Sequence, residues 1–177
     1  MLTRSHFSVL VALAAMMSIT AADTAAAQTT TFERKIVTSD AARRIVDACV
    51  ADAADWTASI AVAVVDPFGI LIDFHSMQGA SETSGTTALL KAKTAARWRR
   101  TTATVNQMVT SGANQAPLWA GSFPQPGAVP IVIDGAVVGA VGVGGVGPNP
   151  YGYGEPCARA AIESVFGPGT TPPPLAQ

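Results

Sequence analysis

Hydrophobic and polar positions follow two different periods along the 177 residues of this chain. From Thr38 to about Ala53, apolar residues recur at i, i+3 and i+4, which places them on one face of a helix. Ser59–Val65 is then a continuous apolar run rich in β-branched residues, which is typical of a buried strand. The pattern therefore begins with a helix, for which Thr38 or Ser39 is a candidate N-cap, and continues with a strand.

Two β-hairpins are predicted from turn residues that separate apolar runs. Asp66-Pro67-Phe68-Gly69 joins the first strand to a return strand at Ile70–His75, with proline where φ is fixed and glycine where positive φ is favoured. Asp134-Gly135, the strongest short hairpin signal, joins the strands Val129–Ile133 and Ala136–Val143. We therefore expect a largely antiparallel sheet.

Helical patterns lie between the hairpins and after the second one. A helix with a face of small residues, which lets it lie close to a sheet, contains Ala88, Leu89, Ala92, Ala95 and Ala96. Further helices are predicted from Thr101 or Thr102 to about Thr110 and over Glu155–Phe166. The order α-β-β-α-α-β-β-α predicts an α+β fold in which helices pack on a mostly antiparallel sheet of two hairpins.

Residues 111–128 form a loop by their glycine and proline content. Trp119 and Phe123 lie in this loop. We expect both aromatic side chains to anchor the loop against the domain.

The segment Gly142–Gly147 reads G-x-G-x-x-G, the spacing of a dinucleotide-binding turn. That turn requires a helix directly after the glycines, but two prolines and two glycines follow before the last predicted helix. No nucleotide cofactor is therefore expected. Instead, Gly139 and Gly142 are expected to let the strand pass close under a helix or ligand. A flexible wall at the end of the strand is expected from Gly144, Gly145 and Gly147.

The start of the chain has the layout of a secretory signal peptide. Arg4 gives a basic start, Phe7–Ile19 is apolar but too short for a membrane span, and Ala25–Ala27 matches an A-x-A cleavage site. Residues 1–27 are therefore predicted to be removed, which leaves no membrane span and a periplasmic or secreted protein. Residues 28–37 are a polar lead-in, 38–167 form the domain, and 168–177 form a disordered tail.

The charge balance argues against nucleic acid as a partner. The chain has 11 Lys and Arg against 12 Asp and Glu, and no basic face is evident. Only 13% of residues are charged while 49% are hydrophobic, and this small-residue, apolar surface favours a homo-oligomer.

Cys49 and Cys157 are the two cysteines of the chain. An exported protein meets an oxidising compartment, so a disulfide between them remains open. Both lie on the apolar side of predicted helices, which favours two buried free thiols.

Four segments in fixed order resemble one family. They are "VAVVDPFGILIDFHSM", "KAKTAARWRRTT", "AVPIVIDGAVVGAVGVGG" and "EPCARAAI". They are similar to the GlcG/HbpS family of haem-binding or haem-degrading proteins, also seen as the C-terminal domain of PduO proteins. The resemblance covers about Thr38 to Phe166 and implies a profilin-like α+β domain that oligomerises and presents a pocket. It also implies haem, iron or a corrinoid as ligand.

The chain departs from this family at the rim of the implied pocket. Ser76 precedes Met77 where the family usually has arginine, and Gln78 stands where an acidic residue is common. Gly127-Ala128 replaces the family's Gly-Gly, and a Pro/Tyr/Gly loop follows Gly145 in place of an acidic turn. The identity of the ligand therefore does not follow from the family alone.

Three side chains are candidate ligands of haem iron. His75 is the one histidine left after removal of the predicted signal peptide, and histidine is the commonest axial ligand. An exposed strand residue without a role is an equal interpretation, because the family usually lacks histidine here. Tyr151 and Tyr153 either ligate ferric iron as tyrosinates, stack on a flat ring or pack between subunits. Met77 is expected to fill the core.

Cationic residues are candidate anchors for a ligand carboxylate. Lys91 lies in the most specific part of the family motif, on a helix of small residues, and its ammonium suits a haem propionate or a small organic acid. Arg99 is a second candidate, although a cation at a helix end is also favoured by the helix dipole alone. Asp66, Lys91 and Glu155 are candidates for a small acid/base site, although their spacing does not show that they meet.

These observations favour an exported, oligomeric protein that binds haem or a related tetrapyrrole. Lys91 and Arg99 would anchor the ligand in an apolar slot, with His75 on the iron. One alternative is an enzyme of the tautomerase or lyase type that acts on an organic acid. The other is a structural or sensory accessory protein that works through oligomer surfaces without catalysis.

Overall fold

The computed structural model describes residues 33–55, 59–146 and 152–173. The predicted signal peptide lies outside these residues, as do Gly147 and Tyr151. The described elements are α1 (Ser39–Asp55), β1 (Ser59–Val65), β2 (Leu71–Ser76), α2 (Glu82–Trp98), α3 (Thr102–Thr110), α4 (Ala116–Trp119), β3 (Ala128–Ile133), β4 (Ala136–Val146) and α5 (Gly154–Phe166). The predicted order of elements is confirmed, with the short α4 added within the predicted loop.

The four strands form one antiparallel sheet in the order β2-β1-β4-β3. Each predicted hairpin is present, and the two hairpins join through β1 and β4, with Ser59 opposite Val146 and Val65 opposite Ala140. This arrangement confirms the α+β, profilin-like fold. β2 and β3 are the edges of the sheet.

Helices cover both faces of the sheet, and strand alternation assigns each side chain to a face. Ile60, Val62 and Val64 of β1 pack with α1 and α5 in the larger hydrophobic core. Ala61 and Ala63 of β1 face the other way and pack with the alanines of α2. One face is therefore built from bulky residues and the other from small ones.

The α2 helix lies close to β4 because glycines in the strand face it. A Cβ atom on Gly142 would lie 2.6 Å from the backbone nitrogen of Ala92, and one on Gly144 would overlap the backbone oxygen of Ser84. The predicted close approach at Gly142 is confirmed. Gly144 and Gly145 belong to β4 itself, so the predicted flexible wall is wrong for these two residues: their backbones pair with β1.

The turns and the first helix cap follow the predicted chemistry. The Asp66 carboxylate accepts hydrogen bonds from the N–H groups of Phe68 and Ile70, both at 2.8 Å. Asp134 and Gly135 both have positive φ, as a two-residue hairpin turn requires. Thr38 Oγ1 accepts a hydrogen bond from the N–H of Ala41 and caps α1.

A disulfide joins Cys49 on α1 to Cys157 on α5, with the Cα atoms 5.5 Å apart. The prediction of two free thiols is wrong. Both cysteines do lie on apolar helix faces, but α1 and α5 pack together, so those two faces meet. The helix pattern shows each face and not which faces meet.

Residues 168–173 of the predicted disordered tail are held against the domain. The Val132 N–H of edge strand β3 donates to the Thr170 oxygen at 2.8 Å. Arg159 donates to Thr171 Oγ1 at 2.7 Å and to the Pro172 oxygen. The structure differs from the prediction here because an edge strand offers unpaired backbone groups that the tail satisfies.

Trp119 does not anchor the loop before β3, since it is 88% exposed. Polar contacts to α2 hold this loop instead. Trp98 Nε1 donates to Ser122 Oγ at 2.8 Å, and the Phe123 N–H donates to Thr94 Oγ1 at 2.8 Å.

Among the described residues, no helix combines the length and apolar character needed to cross a membrane.

Candidate functional site

The candidate site is a buried amine at the point where β3 begins. Lys91 projects from α2, is only 6% exposed, and donates from Nζ to the backbone oxygen of Val143 at 3.1 Å. A Cβ on Gly127 would lie 3.1 Å from Nζ, and a Cβ on Gly154 would lie 3.0 Å from the Cα of Gly127. We name this place the Lys91 corner, made of Lys91, Gly127, Val143 and Gly154.

Strand pairing explains why a lysine reaches this position. The Val143 N–H donates to the Gly127 oxygen at 2.9 Å, just before the first β3 pair, Ala128 with Gly142. In an antiparallel ladder the N–H and C=O of one residue point to the same side. Gly127, with φ +129°, turns the chain away, so Lys91 supplies the donor for the Val143 oxygen in place of a further strand residue.

The electrostatic state of Lys91 is set by its burial. Burial lowers the pKa of Lys91 from 10.5 to about 8, because the charged amine loses its hydration. The salt bridges found among the described residues are Lys35–Asp134, Arg43–Asp73 and Arg159–Glu155. Within that part of the chain, the Lys91 charge therefore has a backbone oxygen as its partner and no carboxylate.

Glu155 is engaged elsewhere. Its carboxylate accepts a hydrogen bond from Arg159 at 3.0 Å, one turn later on α5. Asp66 caps the β1–β2 turn after Val65, which pairs with Ala140 rather than with the Val143 region. The contacts of the structure therefore do not bring Asp66, Lys91 and Glu155 together as an acid/base site.

His75 lies away from the Lys91 corner. It is exposed on edge strand β2 and pairs with Val62, whose side chain packs on the α1 and α5 face. Lys91 comes from the opposite face, on α2, and reaches β4, two strands away in the sheet. Within the part of the chain that the structure describes, Lys91 and His75 therefore do not line a single slot, because the sheet separates them.

The remaining candidates also lie in different places. Arg99 is exposed at the C-cap of α2, eight residues and about 12 Å along the helix axis from Lys91. Tyr153 is half-buried against the α1 and α5 core, and its hydroxyl lies 3.4 Å from Asp52 Oδ2. Tyr151 lies outside the described residues. Met77 packs against the core as predicted.

Sequence reasoning missed two parts of the corner, the backbone oxygen of Val143 and the close approach of Gly154. The pattern of residue types does not show which backbone oxygen a side chain will contact. Gly127 did leave a signal, since it stands where the resembled family has a glycine pair.

Among the described residues, no group of three or more His, Cys, Asp or Glu side chains is placed to hold a metal ion.

The fold and the site define a profilin-like α+β domain that carries a buried lysine at the edge of its sheet. The family model described as "Haem degrading protein HbpS-like" matches residues 37–163. The chain belongs to this HbpS-like family, which confirms the resemblance seen in the sequence.

Curated relatives and solved structures agree with this assignment. Protein GlcG of Escherichia coli K12 is 38% identical over 92 residues, which cover 50% of this chain and 65% of GlcG, a little under two thirds of that protein. A double mutant of HbpS from Streptomyces reticuli superposes with a TM-score of 0.70 at 27% identity, covering 76% of this chain and 90% of the other. PduOC in complex with haem gives a TM-score of 0.66 at 22% identity, covering 73% and 95%, and this likeness shows the fold alone.

Proposed function

We propose that this protein binds haem or a related tetrapyrrole, and that the Lys91 amine receives a carboxylate of the ligand. Membership of the HbpS-like family supports a haem-related ligand. The observation that carries the proposal is the buried Lys91 amine, which has one backbone acceptor and no carboxylate partner among the described residues.

A carboxylate is the group that this amine requires. A buried charge without an opposite charge is costly, and pairing with a hydrogen-bonded anion offsets that cost. An ammonium group has three N–H donors, and Val143 accepts one of them. Haem propionates are carboxylates, so they can accept hydrogen bonds from the remaining N–H donors. The residues that define the Lys91 corner include no side chain that ordinarily ligates haem iron.

Ligation of the iron by His75 would require the haem to bind at a different position on the protein. His75 is the one histidine among the described residues, and it is exposed on edge strand β2. A haem held there would not contact Lys91, because the sheet lies between the two side chains. When bound, haem would supply redox and ligand-binding chemistry at its iron, and the residues of this chain would hold and orient it.

Titration with hemin and with metal-free protoporphyrin tests the proposal and separates the two placements. Wild type is expected to bind both compounds, with a shifted Soret band. Lys91→Met should weaken both by about tenfold or more, since it removes a charge-assisted contact. His75→Ala should leave protoporphyrin binding unchanged. Lys93→Met removes an exposed lysine of the same helix and should bind like wild type.

Several outcomes would contradict the proposal. No binding by wild type would refute a tetrapyrrole ligand. Equal binding by wild type and Lys91→Met would refute the Lys91 anchor. A third result would be a wild type that binds hemin but not protoporphyrin, with hemin binding lost only in the His75→Ala variant. That pair of results would place the site at the β2 edge, with His75 on the iron.

A small organic acid is the second candidate ligand. A Cβ on Gly127 would lie only 3.1 Å from the amine nitrogen, and this compact setting favours a short carboxylate. A thermal-shift screen of carboxylic acids against wild type and Lys91→Met tests it. Stabilisation of wild type alone supports this candidate, and equal shifts for both proteins count against it.

Export and self-association remain part of the proposal. The N-terminal sequence supports cleavage after Ala27 to give a periplasmic or secreted protein. The exposed apolar side chains of the β1–β2 hairpin, among them Ile70 at 64% and Leu71 at 45%, support a homo-oligomer. Intact mass of the exported protein and its native mass by light scattering test both. An unprocessed chain or a monomer would contradict them.

A further inference from the structure

The charges of the chain are nearly balanced overall, but they are divided unequally between the two faces of the sheet. From residue 83 to residue 133, a range that includes α3, α4, β3 and nearly all of α2, the chain has five lysines and arginines and no aspartate or glutamate. On the opposite face, α1 carries four aspartates and two arginines, and α5 carries two glutamates and one arginine. The α2 side of the molecule is therefore basic, and the α1 and α5 side is acidic.

Three exposed arginines lie together at the C-terminal end of α2. They are Arg97, Arg99 and Arg100. Glu82, the acidic residue of this helix, is its first residue and lies about 22 Å from Arg97 along the helix axis. The salt bridges found among the described residues include none of the three arginines, so their positive charges face solvent.

The short helix α4 presents two large apolar side chains beside these arginines. It buries Pro117 but leaves Leu118 49% and Trp119 88% exposed. Arg97 donates a hydrogen bond to the backbone oxygen of Ala120, directly after Trp119, and so joins the end of α2 to the end of α4. Tryptophan is highly buried on average in folded proteins, so a ring that projects almost fully into solvent indicates a binding role.

The segment that follows α4 is fixed on α2. Trp98 Nε1 donates to Ser122 Oγ at 2.8 Å, and the Phe123 N–H donates to Thr94 Oγ1 at 2.8 Å. Together with the contact from Arg97, these hydrogen bonds hold α4 next to the arginines. The exposed ring is therefore presented from a fixed backbone, and binding through it requires little ordering of the chain.

We propose that this end of the molecule docks on the surface of an anionic phospholipid bilayer. The docking surface, which we name the arginine–tryptophan surface, consists of Arg97, Arg99, Arg100, Leu118 and Trp119. Guanidinium groups pair with lipid phosphates, while tryptophan and leucine side chains enter the boundary between the headgroups and the acyl chains. This interaction goes beyond the binding of a tetrapyrrole and does not depend on it.

The composition of the arginine–tryptophan surface favours a bilayer over a nucleic acid. A nucleic acid would use the arginines and the flat ring of Trp119, but Leu118 offers nothing to a base, whereas its burial among acyl chains is favourable. The acidic α1 and α5 side is repelled by anionic lipid, so the charges also orient the molecule with its basic side towards the membrane. Each arginine close to such a surface should raise the affinity about fivefold.

Vesicle flotation tests the proposal on protein purified after export, so that the apolar segment Phe7–Ile19 does not itself contribute. Vesicles of one third phosphatidylglycerol and two thirds phosphatidylcholine are compared with pure phosphatidylcholine. Wild type is expected to bind the anionic vesicles at least about tenfold more tightly than the neutral ones. This binding should weaken as NaCl rises from about 0.05 M to about 0.5 M, because salt screens the arginines.

Tryptophan emission gives a second readout that arises at the docking surface itself. The emission of wild type should shift to shorter wavelength when anionic vesicles are added, because the ring of Trp119 leaves water. Trp119→Phe should abolish this shift. A shift of the same size in Trp119→Phe would show that the exposed ring does not enter the lipid.

Matched variants locate the contact. Arg100→Gln should weaken vesicle binding about fivefold, and Trp119→Ala about tenfold because the indole ring is no longer buried. Arg44→Gln removes an exposed arginine from α1, and Ile36→Ala shortens a 47% exposed side chain before α1. Both controls should bind vesicles like wild type, because they lie outside the arginine–tryptophan surface.

Three results would overturn the inference. The first is equal binding of anionic and neutral vesicles by wild type. The second is vesicle binding by Arg100→Gln and Trp119→Ala that matches wild type. The third is tighter binding of a single-stranded oligonucleotide than of anionic vesicles, which would make a nucleic acid the partner of this surface. None of these results changes the hemin and protoporphyrin titrations, so the proposed function stands or falls separately.

Discussion

The amine nitrogen of Lys91 lies 3.1 Å from the backbone oxygen of Val143, a residue 52 positions further along the chain. The contact replaces a strand hydrogen bond at the point where β3 leaves β4. One side chain thus completes the sheet and also places a positive charge in a buried position. The first prediction follows from the cost of that charge.

Stability should rise with pH in a way that depends on Lys91. The pKa of Lys91 is about 8 in the folded protein and near 10.5 in the unfolded chain, so the unfolded state binds more protons between these values. The free energy of unfolding of wild type, relative to Lys91→Met, should therefore increase by about 2 kcal/mol from pH 7.5 to pH 10. Below pH 8 the full cost of the buried charge remains.

Chemical denaturation at several pH values measures this difference. Lys93→Met is the matched control, because Lys93 is exposed on the same helix and should show no such change relative to wild type. A pH-independent difference between wild type and Lys91→Met would show that Lys91 keeps an ordinary pKa.

Gly144→Ala should destabilise the protein by about 3 kcal/mol. A Cβ at this position would overlap the backbone oxygen of Ser84, so α2 would have to move away from the sheet. Gly85→Ala is the control: its Cβ would meet the partly exposed ring of Phe74 at 3.3 Å, and alanine favours the helix by about 1 kcal/mol. Urea unfolding of both variants checks this, and equal losses would argue against close helix–sheet contact as the cause.

Removal of the Cys49–Cys157 disulfide should cost about 2–5 kcal/mol. The bridge spans 108 residues and links α1 to α5, so it restricts the unfolded chain strongly. The double variant Cys49→Ala/Cys157→Ala should melt like the reduced wild type and below the oxidised wild type. Titration of thiols in the unfolded, unreduced protein should find none, and two reactive thiols would refute the bridge.

Arg159→Ala should release the segment 168–173 from edge strand β3. Arg159 holds Thr171 and Pro172, and the Val132 N–H donates to Thr170 beside them. Hydrogen exchange at Val132 should become faster, by about tenfold for each 1.4 kcal/mol lost. Arg44→Ala, an exposed arginine on α1, should leave this exchange unchanged. Unchanged exchange in Arg159→Ala would show that the tail is held by other contacts.

The sequence by itself determined the elements and the fold class. Periodicity and turn residues placed both hairpins and the helices, and Asp134-Gly135 formed the turn that its residues favour, because these are local properties of the chain. The glycines of β4 and the alanines of α2 also predicted a close helix–sheet contact. Family motifs pointed to Lys91 as the residue to examine.

Only the tertiary structure decided which of these residues meet. It paired Cys49 with Cys157, placed His75 and Lys91 on opposite faces of the sheet, and left Trp119 exposed. It also supplied the Val143 oxygen as the partner of the Lys91 amine and brought Gly154 against Gly127 beside it. These are contacts between segments distant in sequence, and a local pattern records the face of a residue but not the partner that the folded chain brings to it.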